Sequence, residues 1–486
     1  MMISASNLPA LASGVLALLT LHFLYRRFTN PLARLPGPEI SKWTDLVYKY
    51  YWFIGKAPFY VHSLHERYGP IVRTGPSRVD VCDIDAVKEI HRHNTRFLKS
   101  EWYTHLVGGA VTNMFTASDP HFHSLRRRLL ASPISDSSLM KFEPLISSRV
   151  RLAVDKMAEE MQNRGVADVF KWWLFMATDI IGELSFGESF RMLEAGKKNQ
   201  YTTDLENLAS LQPLRTTFPG LLKVGRYVPL PIFKKAAEMG KRVGMYGFQS
   251  LQRYKKHVEE NPTDPKPTLF TKIADQEKSS LTWKDIQDEA QGYIVAGSDT
   301  TAVTLTYLVH AVSQDTRVRD KLVAELSALP EPVSYKDLRD LPYLNQVINE
   351  TLRLYTAVPF GLPRLVPPEG AQFNGFYLPG KTTVSTQSYS LHRDPAIFSD
   401  PDSFNPERWE HPTKEMKEAS LPFGGGSRIC IGIHLAHFEL RMATATFFRK
   451  FPQAQPSQKE GMSSHDMAMK SFFLMAPQGH RCLLEV

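Results

Sequence analysis

Apolar and polar positions along the chain follow three successive patterns. The first is an uncharged run: Met1 to Tyr25 holds no Asp, Glu, Lys or Arg, and Leu8 to Tyr25 reads LPALASGVLALLTLHFLY ahead of Arg26 and Arg27. At ~1.5 Å rise per residue, such a run sits at the lower edge of what crosses a bilayer core. The arginine pair behind it places the rest of the chain on the cytoplasmic side. A cleaved signal peptide fits less well, because no basic segment precedes the apolar run. A buried core helix fits an uncharged terminus poorly. Residues 1–29 are therefore expected to be a single-pass membrane anchor.

The second pattern is Asn30-Pro31 followed by Leu35-Pro36-Gly37-Pro38. Prolines at this density do not continue a helix, so residues 30–38 are expected to be a stiff, extended hinge. The third pattern fills residues 39–486. Ile71-Val72-Arg73 and Arg78-Val79-Asp80-Val81 flank Thr74-Gly75-Pro76-Ser77, which predicts a β-hairpin. From about residue 138 to 330 the periodicity is mostly helical, with loop signals at Leu211–Pro219 and Asn261–Pro267. Short β runs return over Ala371–Ser385, about the Leu378-Pro379-Gly380 turn. Length alone, at ~150 residues per domain, suggests roughly three domains. No internal linker divides the body, however, and the expected fold is mainly α (α+β): a single large helix-rich domain with a minor β-sheet region.

Composition narrows the class. With 43% apolar and 22% charged residues the chain is not disordered. Three cysteines, Cys82, Cys430 and Cys482, are too few for a disulfide framework, and no CxxC pair or compact Cys/His cluster suggests structural zinc. A net formal charge of +8 suits a membrane surface or an acidic protein partner better than nucleic acid. A large intracellular enzyme is the class that remains.

The densest chemistry lies in Phe423-Gly424-Gly425-Gly426-Ser427-Arg428-Ile429-Cys430-Ile431-Gly432. Glycines let the backbone approach a bulky object closely. An apolar helix is expected over Leu435–Phe451, so Cys430 sits just before its N-terminus, where the dipole favours a thiolate. No adjacent base would activate a nucleophile, which makes a metal-bound sulfur the better reading. A phosphate loop would need the Walker lysine, which is absent. Phe423, Gly426, Arg428, Cys430 and Gly432 match in full the pattern Phe-x-x-Gly-x-Arg-x-Cys-x-Gly, and here the chain resembles the cytochrome P450 family. The resemblance extends in order along almost the whole chain. It implies haem b as cofactor, with Cys430 as the axial thiolate and metal ligand. Cys82 and Cys482 are expected to be inert thiols.

Two further constellations strengthen the resemblance. Glu350 and Arg353 share a helix face within Leu344–Tyr355, and Phe404-Asn405-Pro406-Glu407-Arg408-Trp409 follows. The family joins these positions in a buried ionic triad, which implies a structural role for Glu350, Arg353 and Arg408. Thr282 and Asp285 are spaced as a capping box for a long helix running to about Ala311. Inside it, Gly297 costs about 1 kcal/mol relative to alanine, a local conflict that points either to function or to a tight helix–helix contact. Ala296 and Thr300 are one turn apart and present a face on which a flat ligand can rest. By resemblance, Ala296, Gly297, Asp299 and Thr300 match the oxygen-binding helix. Asp299 is then the proton-relay acid and Thr300 the hydroxyl that orders water, whereas Thr301 should face a different wall.

The basic stretch His121–Arg128 offers His123 and Arg127 where the family often has Trp-x-x-x-Arg. Together with Arg364 and Arg428 they match positions that bind haem propionates. The substrate pocket is expected from Tyr103–Phe115, Leu208–Phe218, Tyr293–Thr301, Ala357–Gly361 and Ser471–Phe473. Phe115, Phe218, Val295, Val358, Phe360 and Phe473 make those segments apolar. The resemblance to fungal microsomal members implies oxidation of a terpenoid or polyketide intermediate in secondary metabolism. Electrons would come from NADPH through a separate reductase, whose acidic face Arg126, Arg128, Arg449 and Lys450 could attract. Endoplasmic reticulum membrane, with the catalytic domain cytoplasmic, is the implied location. The alternatives are a haem-thiolate isomerase or dehydratase acting on a peroxide without reductase, and a non-enzymatic haem sensor.

Overall fold

The computed structural model describes residues 29–107, 112–220, 231–260, 268–270 and 281–486, with scattered positions between 13 and 24. The anchor expected over residues 1–29 and the loop expected at 261–267 lie almost wholly outside the described residues. Among the described residues, no helix is long and apolar enough to cross a membrane.

In chain order, the helices that bear on the site are α1 (Leu46–Phe53), α2 (Trp102–Leu106), α3 (Pro120–Ala131), α4 (Glu143–Arg164), α5 (Val169–Phe186), α6 (Gln200–Ala209), α7 (Gln212–Thr217), α8 (Trp283–Gln314), α9 (Pro342–Leu354) and α10 (Ile433–Lys450). Of these, α5 is apolar on every face and almost fully buried, as a helix at the centre of a large core must be. Around it lie α4, α8 and α10, interlocked through Val150, Trp173, Ile180, Leu305, Leu308 and Phe447. Helix α8 starts at the expected Thr282/Asp285 capping box and runs unbroken to Gln314, a little beyond Ala311. Gly297 does not interrupt it. A Cβ at that position would come to 3.0 Å from Ile181 of α5, so the glycine sets the approach of these two helices.

The minor sheet contains β1 (Ile71–Gly75), β2 (Arg78–Val81), β3 (Leu98–Lys99), β4 (Arg364–Leu365) and β5 (Thr383–Ser385), in the order β1-β2-β5-β4-β3. Only the β2–β5 pair is parallel. The expected hairpin is the β1–β2 ladder. Over Ala371–Ser385 the turn differs from expectation. The hairpin pairs Ala371–Phe373 with Phe376–Leu378 around Asn374 and Gly375, whose φ values are 49° and 79°. Two positive φ values in succession suit a tight hairpin turn. Leu378-Pro379-Gly380 instead carries the chain onward to β5.

Two other segments depart from expectation. Residues 30–38 are not a free-standing hinge: Pro31–Arg34 forms one turn of 3-10 helix, and Leu32 and Leu35 are buried against Ile71, Val79 and Val81. Arg73 Nη1 donates to Leu32 O at 2.8 Å, which fixes the segment on the sheet. Leu211–Pro219, read as a loop, contains α7, because Pro213 occupies the first turn, where a missing N–H costs nothing.

Helix α9 carries the buried acid that organises the C-terminal third. Glu350 and Arg353 are both wholly buried and pair at 2.8 Å. The Glu350 oxygens also accept from Arg408 Nε at 3.0 Å, Trp409 Nε1 at 2.9 Å and the Asn405 N–H at 2.9 Å. Removing one partner from such a network costs about 3–5 kcal/mol, since the charges left behind stay out of water.

Candidate active site

A histidine connects the acid network to the cysteine loop. His392 is fully buried and pushed down to about 3 by that burial, so it is neutral. Its Nδ1–H donates to Arg353 O at 2.8 Å, while its Nε2 accepts from the Leu421 N–H at 2.9 Å. Arg353 Nη1 donates back to His392 O at 2.7 Å. The start of the loop at Leu421 is thereby tied to Glu350 through two side chains. No motif singled out His392, which follows the mostly polar run Ser388-Tyr389-Ser390-Leu391 and precedes Arg393-Asp394-Pro395.

From Leu421 the loop closes on itself. Gly424 N–H donates to Leu421 O at 3.0 Å and Cys430 N–H to Phe423 O at 2.9 Å. Gly426 has φ +57°, and a Cβ there would lie 1.6 Å from the His91 carbonyl oxygen, so no other residue fits. Arg428 spans outward to Ala117 O at 2.7 Å and Ser118 O at 3.2 Å, and Arg127 Nη1 reaches Ile429 O at 2.7 Å. Phe423 lies beside the His437 ring at 5.3 Å between centroids.

These bonds present the Cys430 sulfur to an interior cavity of about 510 Å³. The sulfur is accessible from the cavity yet ringed by protein, and this burial raises the thiol above its ordinary value. The Gly432 N–H and the Arg127 charge oppose that rise without cancelling it. A cation at the sulfur would favour the thiolate, which is what a coordinated metal supplies. Cys82 and Cys482 are held high by burial.

One side of the cavity is crowded with basic side chains. His91, Lys99, His123, Arg127, Arg364 and Arg428 all line it. Lys99 on β3 is paired in register with Arg364 on β4, two positive side chains directly opposed. Burial lowers Lys99 well below its usual range, and the Arg364 and Arg428 charges lower it further. Burial first, then Arg364, brings Arg428 down to about 10. His123 falls to about 3 through burial and the charges of Arg428, Lys99, Arg127 and Arg364. Arg364 Nε and His91 Nδ1 are buried without a partner. Among the described residues no carboxylate forms an ion pair with any of the six. Of these, Lys99 and His91 escaped sequence reasoning, because only the sheet register and the approach to Gly426 bring them in.

The opposite wall is α8. Ala296, Gly297 and Thr300 line the cavity, with Thr300 Oγ1 donating to Ala296 O at 2.8 Å. Asp299 points away from it. Burial, and then the Glu206 charge, push its carboxyl up to about 6, against the pull of Lys198. Glu206 and Lys198 form a half-exposed ion pair at 2.7 Å, so Asp299 lies between the cavity wall and solvent. Thr301, expected to face a different wall, hydrogen-bonds the buried Glu439 of α10 and also lines the cavity. Glu439 is raised to about 8 by burial.

The remaining lining includes Tyr103, Met114, Phe115, Val358, Phe360 and Phe473. Phe473 adopts φ 128° and packs against Trp102 and Phe115. Phe218 is a correction: it is 45% exposed and does not line the cavity. The cavity is also more polar than expected, since Asn113, Gln212, Arg215, Asp288 and Glu289 contribute to it. Of the surface cations, Arg126 is buried against Asp285 at 2.7 Å, and Arg449 is taken up by Leu326 O and Glu331. Arg128 is exposed, and Lys450 is half-exposed beside Asp155.

A thiol facing a cavity, a flank of basic side chains without paired acids and a threonine-bearing helix in the lining suit a metal-bearing cofactor with acidic side groups. The comparisons agree: the family description "Cytochrome P450" matches residues 38–483. The chain is 53% identical to the cytochrome P450 monooxygenase tazI of Aspergillus terreus, over 100% of this chain and 99% of that one. It is 48% identical to the cytochrome P450 monooxygenase orf2 of Aspergillus niger, over 99% of each. With the cytochrome P450 monooxygenase cypX of Dothistroma septosporum, identity is 36% over 94% of this chain and 91% of the other. The chain belongs to the cytochrome P450 family and is a monooxygenase.

The family implies haem, and the residues fit it. The arginines would answer two propionates, the unpartnered Arg364 Nε would supply a donor, and Cys430 would supply the sulfur ligand. Arg364→Leu is therefore expected to have opposite effects on the two forms of the protein. The haem-free protein should be as stable as wild type or more so, because a buried unpaired charge is gone. Haem should pass to excess apomyoglobin several-fold faster. Equal haem-loss rates would take Arg364 out of cofactor retention.

Proposed function

We propose that the chain inserts one oxygen atom from O₂ into a lipophilic small molecule, a polyketide or terpenoid intermediate of fungal secondary metabolism. The electrons come from NADPH through a separate flavoprotein reductase, consistent with the lack of a nicotinamide or flavin motif. The names and fungal sources of the relatives support this reading. The observation that carries it is the pairing of Thr300 on the cavity wall with Asp299 behind it, facing the Cys430 flank.

Haem held at Cys430 supplies reductive activation of O₂. The chain supplies position and protons. Arg127, Arg364 and Arg428 would neutralise and orient the propionates and His123 would donate a hydrogen bond to one of them, while the Glu350 network fixes the sulfur. Thr300 Oγ1 spends its hydrogen on Ala296 O, which leaves its lone pairs turned to the cavity to accept from a water. Asp299, raised to about 6, changes protonation close to neutral pH and can pass a proton from the Lys198–Glu206 surface toward that water. An isomerase acting on a peroxide has no use for this relay, and retention of both residues favours oxygen activation. Arg128 and Lys450 remain candidates for attracting the reductase.

Residues 1–29 are proposed to anchor the protein in the endoplasmic reticulum membrane, with residues 39–486 cytoplasmic. Ile40, Leu46, Tyr50 and Phe53, all at least 47% exposed, give the adjoining surface an apolar face that suits a membrane. Deleting residues 1–29 should release much of the protein from membranes with haem retained. A truncated chain that no longer holds haem would place that segment in the core.

Thr300→Ala should keep haem binding and reduction but divert electrons to hydrogen peroxide. Product formed per NADPH should then fall far more than NADPH consumption does. Wild-type coupling in that variant would reduce the hydroxyl to a helix-packing group.

A further inference from the structure

One cation of the cavity stands apart from the propionate group. Arg215 lies on α7, which packs against α1 and α2 on the roof of the cavity. Trp52 Nε1 fixes that helix by donating to Thr216 Oγ1 at 2.8 Å. Gln212 and Arg215 are three residues apart, share a helix face and both line the cavity. Burial lowers Arg215, and no neighbouring charge contributes in either direction. It therefore lies apart from Lys99, Arg364 and Arg428, which act on one another.

The Arg215 side chain has no hydrogen bond, ion pair or ring contact among the described residues, unlike those of Arg127 and Arg428, which hold backbone carbonyls. The acids that line the cavity are engaged elsewhere: Glu289 accepts from the Met114 N–H at 2.9 Å, and Asp288 pairs with Lys284. The Gln212 side chain is likewise without a partner. Leu106, Val107, Leu205, Leu208 and Val295 form apolar walls around the same space. A guanidinium left unpaired in such surroundings costs free energy unless the occupant completes it.

We propose that Arg215, with Gln212 beside it, is a subsite for a planar pair of oxygens sharing one negative charge on the substrate, as in a carboxylate or an ionised β-diketone enol. The guanidinium fork matches such a pair with two parallel N–H donors. The substrate is then an amphipathic acid: its anionic end is held under α7, its apolar body crosses the cavity, and its reacting carbon lies toward Thr300 and Cys430. This assignment rests on the proposed monooxygenation, because it takes the cavity occupant to be the substrate.

The test uses the full-length haem-loaded protein and matched ligand pairs, read by the Soret shift on titration and by calorimetry. One pair is dodecanoic acid and dodecanol; the other is a long-chain 2-acylcyclohexane-1,3-dione and its neutral enol ether. At neutral pH, the acid of at least one pair should bind about tenfold or more tighter than its neutral partner, as a charge-assisted fork allows. The pair that shows the preference identifies which acid chemistry is read. Arg215→Gln should abolish the preference, and Arg215→Lys should restore part of it through charge without the fork. The inference is overturned if neither acid exceeds its partner in the wild type, or if Arg215→Gln keeps the preference. Should the variants misfold, the wild-type comparison still decides. A normal thiolate-type carbon monoxide spectrum beside a failed preference would sink this subsite alone, whereas loss of that spectrum would sink the monooxygenase reading.

Discussion

A carboxylate with no solvent exposure governs the geometry of the active site. Glu350 receives donors from Arg353 on its own helix and from Arg408, Trp409 and the Asn405 backbone of the later segment 405–409, so it joins two stretches of chain. Through Arg353 the constraint passes to His392, and through His392 to the first residue of the cysteine loop. Buried ion pairs are poor sources of net stability because desolvation offsets their attraction. Their use here is positional: the carboxylate admits few arrangements of the segments around it, and the sulfur is presented in one of them.

The cations around the cavity make the complementary case. Lys99 and Arg364 face each other across adjacent strands, and Arg428 and Arg127 complete a flank with no acid to balance it. In a protein without a cofactor this arrangement is frustrated, since like charges lower one another and burial penalises each. A dianionic partner would relieve that frustration, and Cys430 would supply the sulfur ligand to its metal. Asp299, behind the other wall, is likewise an acid that burial and the Glu206 charge push up to about 6.

Much of this was legible in the sequence where local chemistry is rigid. The Phe423–Gly432 loop depends on glycine conformations, the start of α8 on a capping box, and the Glu350–Arg353 pair on helix spacing; each is a short-range rule. What escaped depends on tertiary approach. Lys99 and His91 reach the site through strand register and a close backbone contact, and His392 through a fold-back from the Glu350 network. Arg126 reads as a surface cation in a basic run, yet the helix turn places it against Asp285. The helix at Gln212–Thr217 was masked by Pro213, a residue that breaks helices inside but starts them at the first turn. Asn374-Gly375 carried the stronger turn signal near Pro379-Gly380, and it is the one the hairpin uses.

The claim that the buried carboxylate sets the sulfur through His392 is tested most directly by the ferrous carbon monoxide spectrum of His392→Phe, recorded beside wild type and Cys430→Ala. Wild type should show the long-wavelength Soret band of thiolate ligation, and Cys430→Ala should lack it. His392→Phe, with its helical circular dichroism retained, should convert within the measurement to the short-wavelength band of a protonated or displaced thiol. A His392→Phe band as intense and as lasting as that of wild type would contradict the account.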